Sequence, residues 1–404
     1  MEELYRQIDA MKGEMAEALC RLVEIPAVSP ASGGEGERAK AQVIAEIVSD
    51  MGLPSPERYD APSPEGVRPN LVVALEGAKR ERLWIVTHMD VVPEGDRSLW
   101  DTDPFKGLIK DGKVFGRGAN DNGQELVASL YALYVLKRSG VTPARDICLA
   151  FVADEEMGSA YGIQHLISLG LFKPDDLVVV PDVGNERGDF IEVAEKAILW
   201  LEFCVLGKQA HASRPEDGLN ACRVANQLSV ALDEAYHRAF PEEDRLFSSP
   251  VSTFEPTRRR ANVSNVNTIP GKEVFAFDCR ILPSAGNEAA LKVVDQVCRD
   301  ISDRSGAKIS YEVLQRTDAA PVTPVDAPVV RLLEAAVEDV LHIKPVIGGV
   351  GGGTCAAFFR RVGIPAAVWA QEANVAHEPN EYAVIEHMVN EAKVFARMMA
   401  SSLP

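Results

Sequence analysis

Leu83-Trp-Ile-Val-Thr-His-Met-Asp90 is an apolar run that stops at an imidazole and a carboxylate. The same pattern returns at Ile147-Cys-Leu-Ala-Phe-Val-Ala153, followed by Asp154-Glu155-Glu156, and at Leu177-Val-Val-Val180, followed by Pro181-Asp182. Short, nearly continuous apolar runs of this kind are typical of buried parallel strands. A parallel α/β sheet presents the side chains at its strand ends to a crevice. Distant positions can therefore converge on one cleft, and His88, Asp121, Glu155, Glu156, Asp182 and His377 read in order as one site.

Outward from these runs, Leu4, Ile8, Met11, Met15, Leu19 and Leu22 recur at spacings of three and four, which predicts one amphipathic helix over residues 3–23. A strand is expected at 70–74. Leu126, Leu130, Leu133 and Leu136 mark a helix ended by Gly140 ahead of Pro143. From about Ile191 the texture changes. Strands at 198–205, near 252–254, at 273–282 and at 308–314, with helices at 221–236 and 288–301, spell the split β-α-β order of a small α+β domain. The first texture resumes after Pro321, with helices at 329–341, 354–361 and 384–401 and strands at 346–347 and 366–369. The expected fold is α/β: a main domain (1–190 and 317–404) with a mixed, largely parallel sheet flanked by helices, interrupted by an inserted domain at 191–316.

With 404 residues, 46% of them hydrophobic and 25% charged, the chain can bury substantial cores. A formal net charge of -18 argues against nucleic-acid or anionic-membrane partners, because phosphate binding needs clustered Lys and Arg. The seven cysteines are far apart and show no C-x-x-C, so neither a zinc ribbon nor a disulfide framework is indicated. The first residues carry acids where a signal peptide needs positive charge, and no apolar run reaches the length of a membrane span. A cytoplasmic location is expected.

Imidazole and carboxylate together suit Zn²⁺ or Co²⁺. Five ligands for two divalent ions require one to bridge, and a carboxylate such as Asp121 can offer an oxygen to each, holding the ions roughly 3.5–4 Å apart with a water between them. His88 and Asp90 are i and i+2 at a strand end, so their side chains point the same way, and Asp90 is expected to accept the other imidazole N–H rather than to bind metal. In the Glu155-Glu156 pair adjacent side chains diverge, so one can ligate while the other faces the water as a general base.

H-M-D-V-V-P, G-R-G-A-x-D-x-G, D-E-E-x-G-S, G-K-Q-A-H-A-S-x-P-x-x-G-x-N-A, N-x-I-P-G and H-x-P-N-E follow one another from His88 to Glu381. In this order they resemble the zinc metallopeptidases and amidohydrolases related to acetylornithine deacetylase, succinyl-diaminopimelate desuccinylase and carboxypeptidase G. The resemblance implies a catalytic domain with two zinc ions and an inserted lid domain that forms a homodimer. It implies that His88, Asp121 and Asp182 hold one ion, that Asp121, Glu156 and His377 hold the other, and that Glu155 is the base. It also implies that His211 reaches the partner subunit's active site to polarise the scissile carbonyl, and that Asn267 and Arg280 bind substrate. Asn122 departs from the D-x-K-G run of many relatives, and Asp182 stands where some members use glutamate.

Plainer readings compete for several residues. Glu155 could be a surface acid favoured at a helix N-terminus, and Arg280 could merely pair with a lid carboxylate. Gly351, Gly352, Gly353 and Thr354 belong to a glycine run expected to open a helix, where free N–H groups would cradle a substrate carboxylate, against the alternative of close helix packing. The run lacks the Lys of a nucleotide loop. Cys355 as a nucleophile would need His377, which the metal already claims. Arg258-Arg259-Arg260 reads as a solvated turn. The expected activity is hydrolysis of an N-acyl amino acid, with a metallo-dipeptidase or exopeptidase as the alternative. An inactive metal-binding scaffold is disfavoured, because metal binding alone needs none of Glu155, Asp90 and His211.

Overall fold

The computed structural model describes residues 1–401, which divide into two compact units. Met1–Val193, Val322–Gly348 and the chain from Thr354 form the first, and Ala194–Pro321 with Gly349–Gly353 forms the second. Among the described residues, no helix is long and apolar enough to cross a membrane.

The first unit is built on a mixed sheet whose centre is parallel. Strands Asp146–Val152, Arg82–His88, Leu177–Val180 and Ala366–Val368 lie side by side in that order, all parallel. Leu71–Leu75 adds antiparallel beyond Asp146–Val152, and Phe190–Glu195 pairs antiparallel with Ala366–Val368. The apolar runs explain the layering. With a side-chain period of two, the register that sets Trp84 opposite Cys148 and Val178, and Val178 opposite Ala366, turns these residues to one face. There they form one core with Ile163, Leu166, Ala356 and Phe359. On the sheet, helix Gln124–Arg138 packs against Arg82–His88 and Asp146–Val152. Each fully buried Val, Leu or Phe is worth roughly 1.5–3 kcal/mol, so a sheet covered on both faces can hold its strand ends rigidly. At the amino terminus the single expected helix is two, Glu2–Ala10 and Lys12–Val23, because Met11 leaves helical geometry at ψ 6°.

The second unit is a four-stranded antiparallel sheet, in the order Thr253–Arg259, Lys272–Ile281, Ala197–Leu206, Lys308–Thr317, with helices Ala221–Ala239 and Asn287–Ser305. The order along the chain is β-α-β-β-α-β, the split pattern read from the sequence. Leu199, Leu201, Phe203 and Val205 alternate into the core, where Phe203 stacks on Phe275 and Tyr236 on Phe254. Asn220 caps the first helix by accepting the Arg223 N–H at 3.0 Å. Arg258 and Arg259 are not a turn: the edge strand runs through them, and Glu202 pairs with Arg258 at 2.7 Å and with Arg260 at 2.8 Å.

Candidate metal centre

The four parallel strands stop on one side of the first unit, and their carboxyl ends deliver most of the site. His88 is the last residue of its strand, Asp154-Glu155-Glu156 follow Val152 by way of Ala153, Asp182 follows Val180 by one residue, and His377 lies in the loop beyond Val368. Asp121 comes from elsewhere, on the loop that leads into helix Gln124–Arg138. Gly118 opens that loop at φ +78°, and a Cβ there would lie 2.4 Å from Val91 Cγ1, so glycine is required on two counts.

Asp121 lies between the two imidazoles. Its Oδ1 is 2.8 Å from His88 Nε2 and its Oδ2 is 3.1 Å from His377 Nε2. Asp182 Oδ1 lies 3.2 Å from His88 Nε2, and Glu156 Oε2 lies 3.2 Å from His377 Nε2. His88, Asp121 and Asp182 thus form one group able to hold a metal ion, and Asp121, Glu156 and His377 another. Within each group the donor atoms lie within 4.8 Å of one another.

The residues behind these donors hold them by backbone hydrogen bonds. Asp90 does so differently from the expectation. His88 Nδ1 lies 3.0 Å from the Asp90 carbonyl oxygen and 3.7 Å from its carboxylate. That carboxylate instead accepts the N–H groups of Glu155 and Glu156, at 3.0 and 3.1 Å. One residue therefore orients the His88 ring and fixes the turn bearing both glutamates. Asn122, the departure from the D-x-K-G run, accepts the His88 N–H at 3.2 Å and donates to the Pro181 carbonyl at 2.5 Å, linking the segments that carry His88, Asp121 and Asp182.

Three further anchors carry no role in the sequence reading. Glu381, fully buried, accepts the N–H groups of Gly118, Asn120 and Asp121 on one oxygen and pairs with Arg117 through the other. The H-x-P-N-E motif contains it without revealing this contact. Glu37 and Arg68, a buried ion pair, hold Asp154 from behind. Glu372 accepts from Gly184 and Asn120, and no motif signals it.

Burial and mutual charge set the protonation of this cluster. Burial opposes a charge on His88, but Asp121 and Asp182 outweigh it and hold its pKa well above the ordinary value. Hydrogen bonds to Asp121 and Glu156 push His377 up to about 10. Asp121 is itself buried, yet the two imidazoles keep its pKa well below the usual carboxylate range. Burial, reinforced by the Asp182 carboxylate, pushes Glu155 well above that range, and burial, with the Glu37 and Glu156 carboxylates added, takes Asp90 up to about 7 against the pull of His88. These carboxylates demand positive charge among them, so the donor set fits divalent cations.

The remaining expected residues lie in the second unit, except Thr354. His211 is exposed on the short strand Ala210–His211, which pairs with Thr268–Ile269. Its Nδ1 accepts the Ser213 N–H at 3.2 Å, which leaves the proton of the neutral ring on Nε2. Asn267 is its neighbour through the Ala212 N–H, received by the Asn267 carbonyl at 2.8 Å. Arg280 forms a two-bond pair with Asp278, at 2.6 and 2.9 Å, and donates to the Gly351 carbonyl at 2.9 Å. A Cβ on Gly351 or Gly352 would meet nothing within 4 Å, so close packing does not call for glycine there. The helix expected to begin at Thr354 is Ala356–Arg361, too short for a strong dipole, and Thr354 Oγ1 accepts the Ala356 N–H at 3.1 Å.

A chain that gathers two overlapping imidazole–carboxylate groups at the ends of parallel strands is, by the family it matches, a metal-dependent hydrolase acting on amide or peptide C–N bonds. Residues 84–401 match the family model for Peptidase family M20/M25/M40, and the chain belongs to that family. It is 38% identical over 397 residues to an uncharacterized metallohydrolase of Methanocaldococcus jannaschii, covering 94% of this chain and 97% of that protein. It is 26% identical to a succinyl-diaminopimelate desuccinylase of Nautilia profundicola, over 83% of this chain and 88% of the relative. Human carnosine dipeptidase 1 shares the fold, with a TM-score of 0.75 at 17% identity, over 99% of this chain and 98% of that one.

Proposed function

We propose that this protein is a two-cation amidohydrolase that cleaves the amide bond of an N-acyl amino acid. The observation that carries this is Asp121, whose two oxygens serve two imidazoles and so make one carboxylate common to both donor groups. His88, Asp121 and Asp182 would hold one cation and Asp121, Glu156 and His377 the other, and mixed nitrogen and oxygen donors suit Zn²⁺ or Co²⁺. Bound there, such ions supply Lewis acidity, polarising a carbonyl and lowering the pKa of water. Glu155 would accept the proton of the attacking water and pass it to the departing amine. Its half-buried carboxyl, pushed up by burial, suits that two-way traffic, and Asp90 fixes its backbone. The His211 Nε2–H is free, among the described residues, to donate to the scissile carbonyl oxygen.

Arg280 supports a carboxylate-bearing substrate. Asp278 takes the Nε–H and one Nη2–H of its guanidinium and the Gly351 carbonyl one Nη1–H, which leaves one Nη1–H and one Nη2–H for a second carboxylate. Asn267 and the bare N–H groups of Gly351, Gly352 and Gly353 would add neutral donors. The likeness to a succinyl-diaminopimelate desuccinylase favours an N-acyl amino acid over a dipeptide. A homodimer through the second unit would cover a sheet edge, since Thr253–Arg259 and Lys308–Thr317 each pair on one side only. The deciding experiment offers metal-loaded protein a panel of N-acetyl amino acids, N-succinyl amino acids and dipeptides. Preferential release of acyl groups is expected. Cleavage of dipeptides alone would make the protein a dipeptidase, and equal rates after chelation would refute the cation chemistry.

A further inference from the structure

Glu372 stands on the segment between strand Ala366–Val368 and His377, outside every motif named above. Its Oε1 accepts the Gly184 N–H at 2.7 Å, and its Oε2 accepts from Asn120 Nδ2 at 3.1 Å. Asn120 immediately precedes Asp121, and Gly184 lies two residues past Asp182. One carboxylate therefore spans the two loops that bring Asp121 and Asp182 to His88.

The seat of Glu372 is itself braced. The preceding Gln371 donates its N–H to Glu391 at 2.8 Å, and its carbonyl accepts from Gln124 Nε2 at 3.0 Å. The Glu372 N–H binds the Asn185 carbonyl at 3.2 Å. Gly184 is pressed against the same segment, since a Cβ there would lie 1.9 Å from the Ala370 carbonyl oxygen. Asn122 ties the loops by a single contact to Pro181, whereas Glu372 ties them through both oxygens of one carboxyl group.

We propose that Glu372 is a positioning residue for the cation site of His88, Asp121 and Asp182, setting the spacing of its two carboxylates by bridging Asn120 and Gly184. This rests on the two-cation reading above. The other group, Asp121 with Glu156 and His377, shares only one of the loops that Glu372 spans, so the effect is selective. Replacing Glu372 by alanine removes both acceptors at once, whereas an amide of the same shape can keep the bridge, because Asn120 Oδ1 has no partner among the described residues and can turn to accept from it.

The test is Zn²⁺ affinity, measured by chelator competition on metal-stripped full-length protein. His377→Ala leaves the His88 group intact, and His88→Ala leaves the His377 group. Adding Glu372→Ala to His377→Ala should weaken binding by about tenfold to a hundredfold, the range for losing a partner that orients a ligand. Added to His88→Ala, it should change affinity by less than about threefold. Glu372→Gln, which can still accept from Gly184 and meet a turned Asn120 amide, should keep affinity in the His377→Ala background within about threefold of its starting value. Unchanged affinity on adding Glu372→Ala in the His377→Ala background, equal losses in both backgrounds, or as large a loss with Glu372→Gln would each overturn the assignment. A wild-type stoichiometry of one cation would overturn the two-cation reading instead, and with it the site that Glu372 positions.

Discussion

Removing Glu381 should release the loop that carries Asp121 and expose how much of the metal centre depends on one buried acid. Its Oε1 accepts three backbone N–H groups, from Gly118 at 3.0 Å, Asn120 at 3.0 Å and Asp121 at 3.2 Å, while Oε2 faces Arg117. Two substitutions separate these contributions. Glu381→Gln keeps the Oε1 acceptor but turns an amide N–H₂ toward a buried guanidinium, and breaking a buried pair costs roughly 3–5 kcal/mol. Arg117 still donates to the His377 carbonyl at 3.2 Å and sits 5.3 Å from the Trp100 ring, so about 3 kcal/mol is the better expectation. Glu381→Ala also strands three loop N–H groups, each worth roughly 1–3 kcal/mol where water cannot reach it. Hydrogen exchange over residues 116–123 reads the loop directly. In Glu381→Ala it should accelerate by at least about a hundredfold, the equivalent of about 2.8 kcal/mol. In Glu381→Gln the loop should stay more protected while thermal unfolding occurs earlier. Wild-type exchange in the alanine variant, with wild-type Zn²⁺ affinity, would show that something else holds the Asp121 loop.

Glu155→Gln should keep metal content near wild type while kcat falls by about 10²–10⁴, the loss expected of a general base. Loss of metal in that variant would exchange the roles of Glu155 and Glu156. A ligand imidazole must be neutral, and His377 in the metal-stripped protein is held up to about 10. Zn²⁺ affinity should therefore rise with pH between 7 and 9, by about tenfold per unit for each proton displaced, and calorimetry should show an enthalpy that depends on the buffer. A pH-independent affinity would mean that the imidazoles are already neutral. Converting the substrate carboxylate to an amide should cost roughly 1.5–3 kcal/mol in kcat/KM, and Arg280→Ala should erase most of that preference. Equal hydrolysis of acid and amide by the wild type would refute a carboxylate seat. Mixed dimers of His211→Ala and Glu155→Gln subunits should regain activity if His211 serves the partner's site, and no recovery in verified heterodimers would place it in its own subunit.

Local pattern carried the layers of the fold a long way. Continuous apolar runs at 83–87, 147–153 and 177–180 are strands of the parallel centre, and alternation from Leu199 to Val205 is the inward face of the second sheet. Burial has a period along the chain, so residue type alone reports it. Edges and ends were less legible. The break at Met11 has no Pro or Gly at its own position, and the strand through Arg258 and Arg259 is so exposed that its side chains resemble those of a turn.

By itself, the sequence determined which donor residues the chain possesses, in what order, and that strand ends would present most of them on one side of a sheet. Only the tertiary structure decided that Asp90 reaches His88 through its carbonyl while its carboxylate holds Glu155 and Glu156, and that Glu372 and Glu381 fix the loops that carry Asp121 and Asp182. The physical reason lies in the partners of these groups. Asp90, Glu372 and Glu381 bind mainly backbone N–H groups of distant loops, and nearly every residue type offers the same N–H. Neither spacing nor composition can mark which of them a buried carboxylate will meet, since that depends on where the sheet has already brought the loops together.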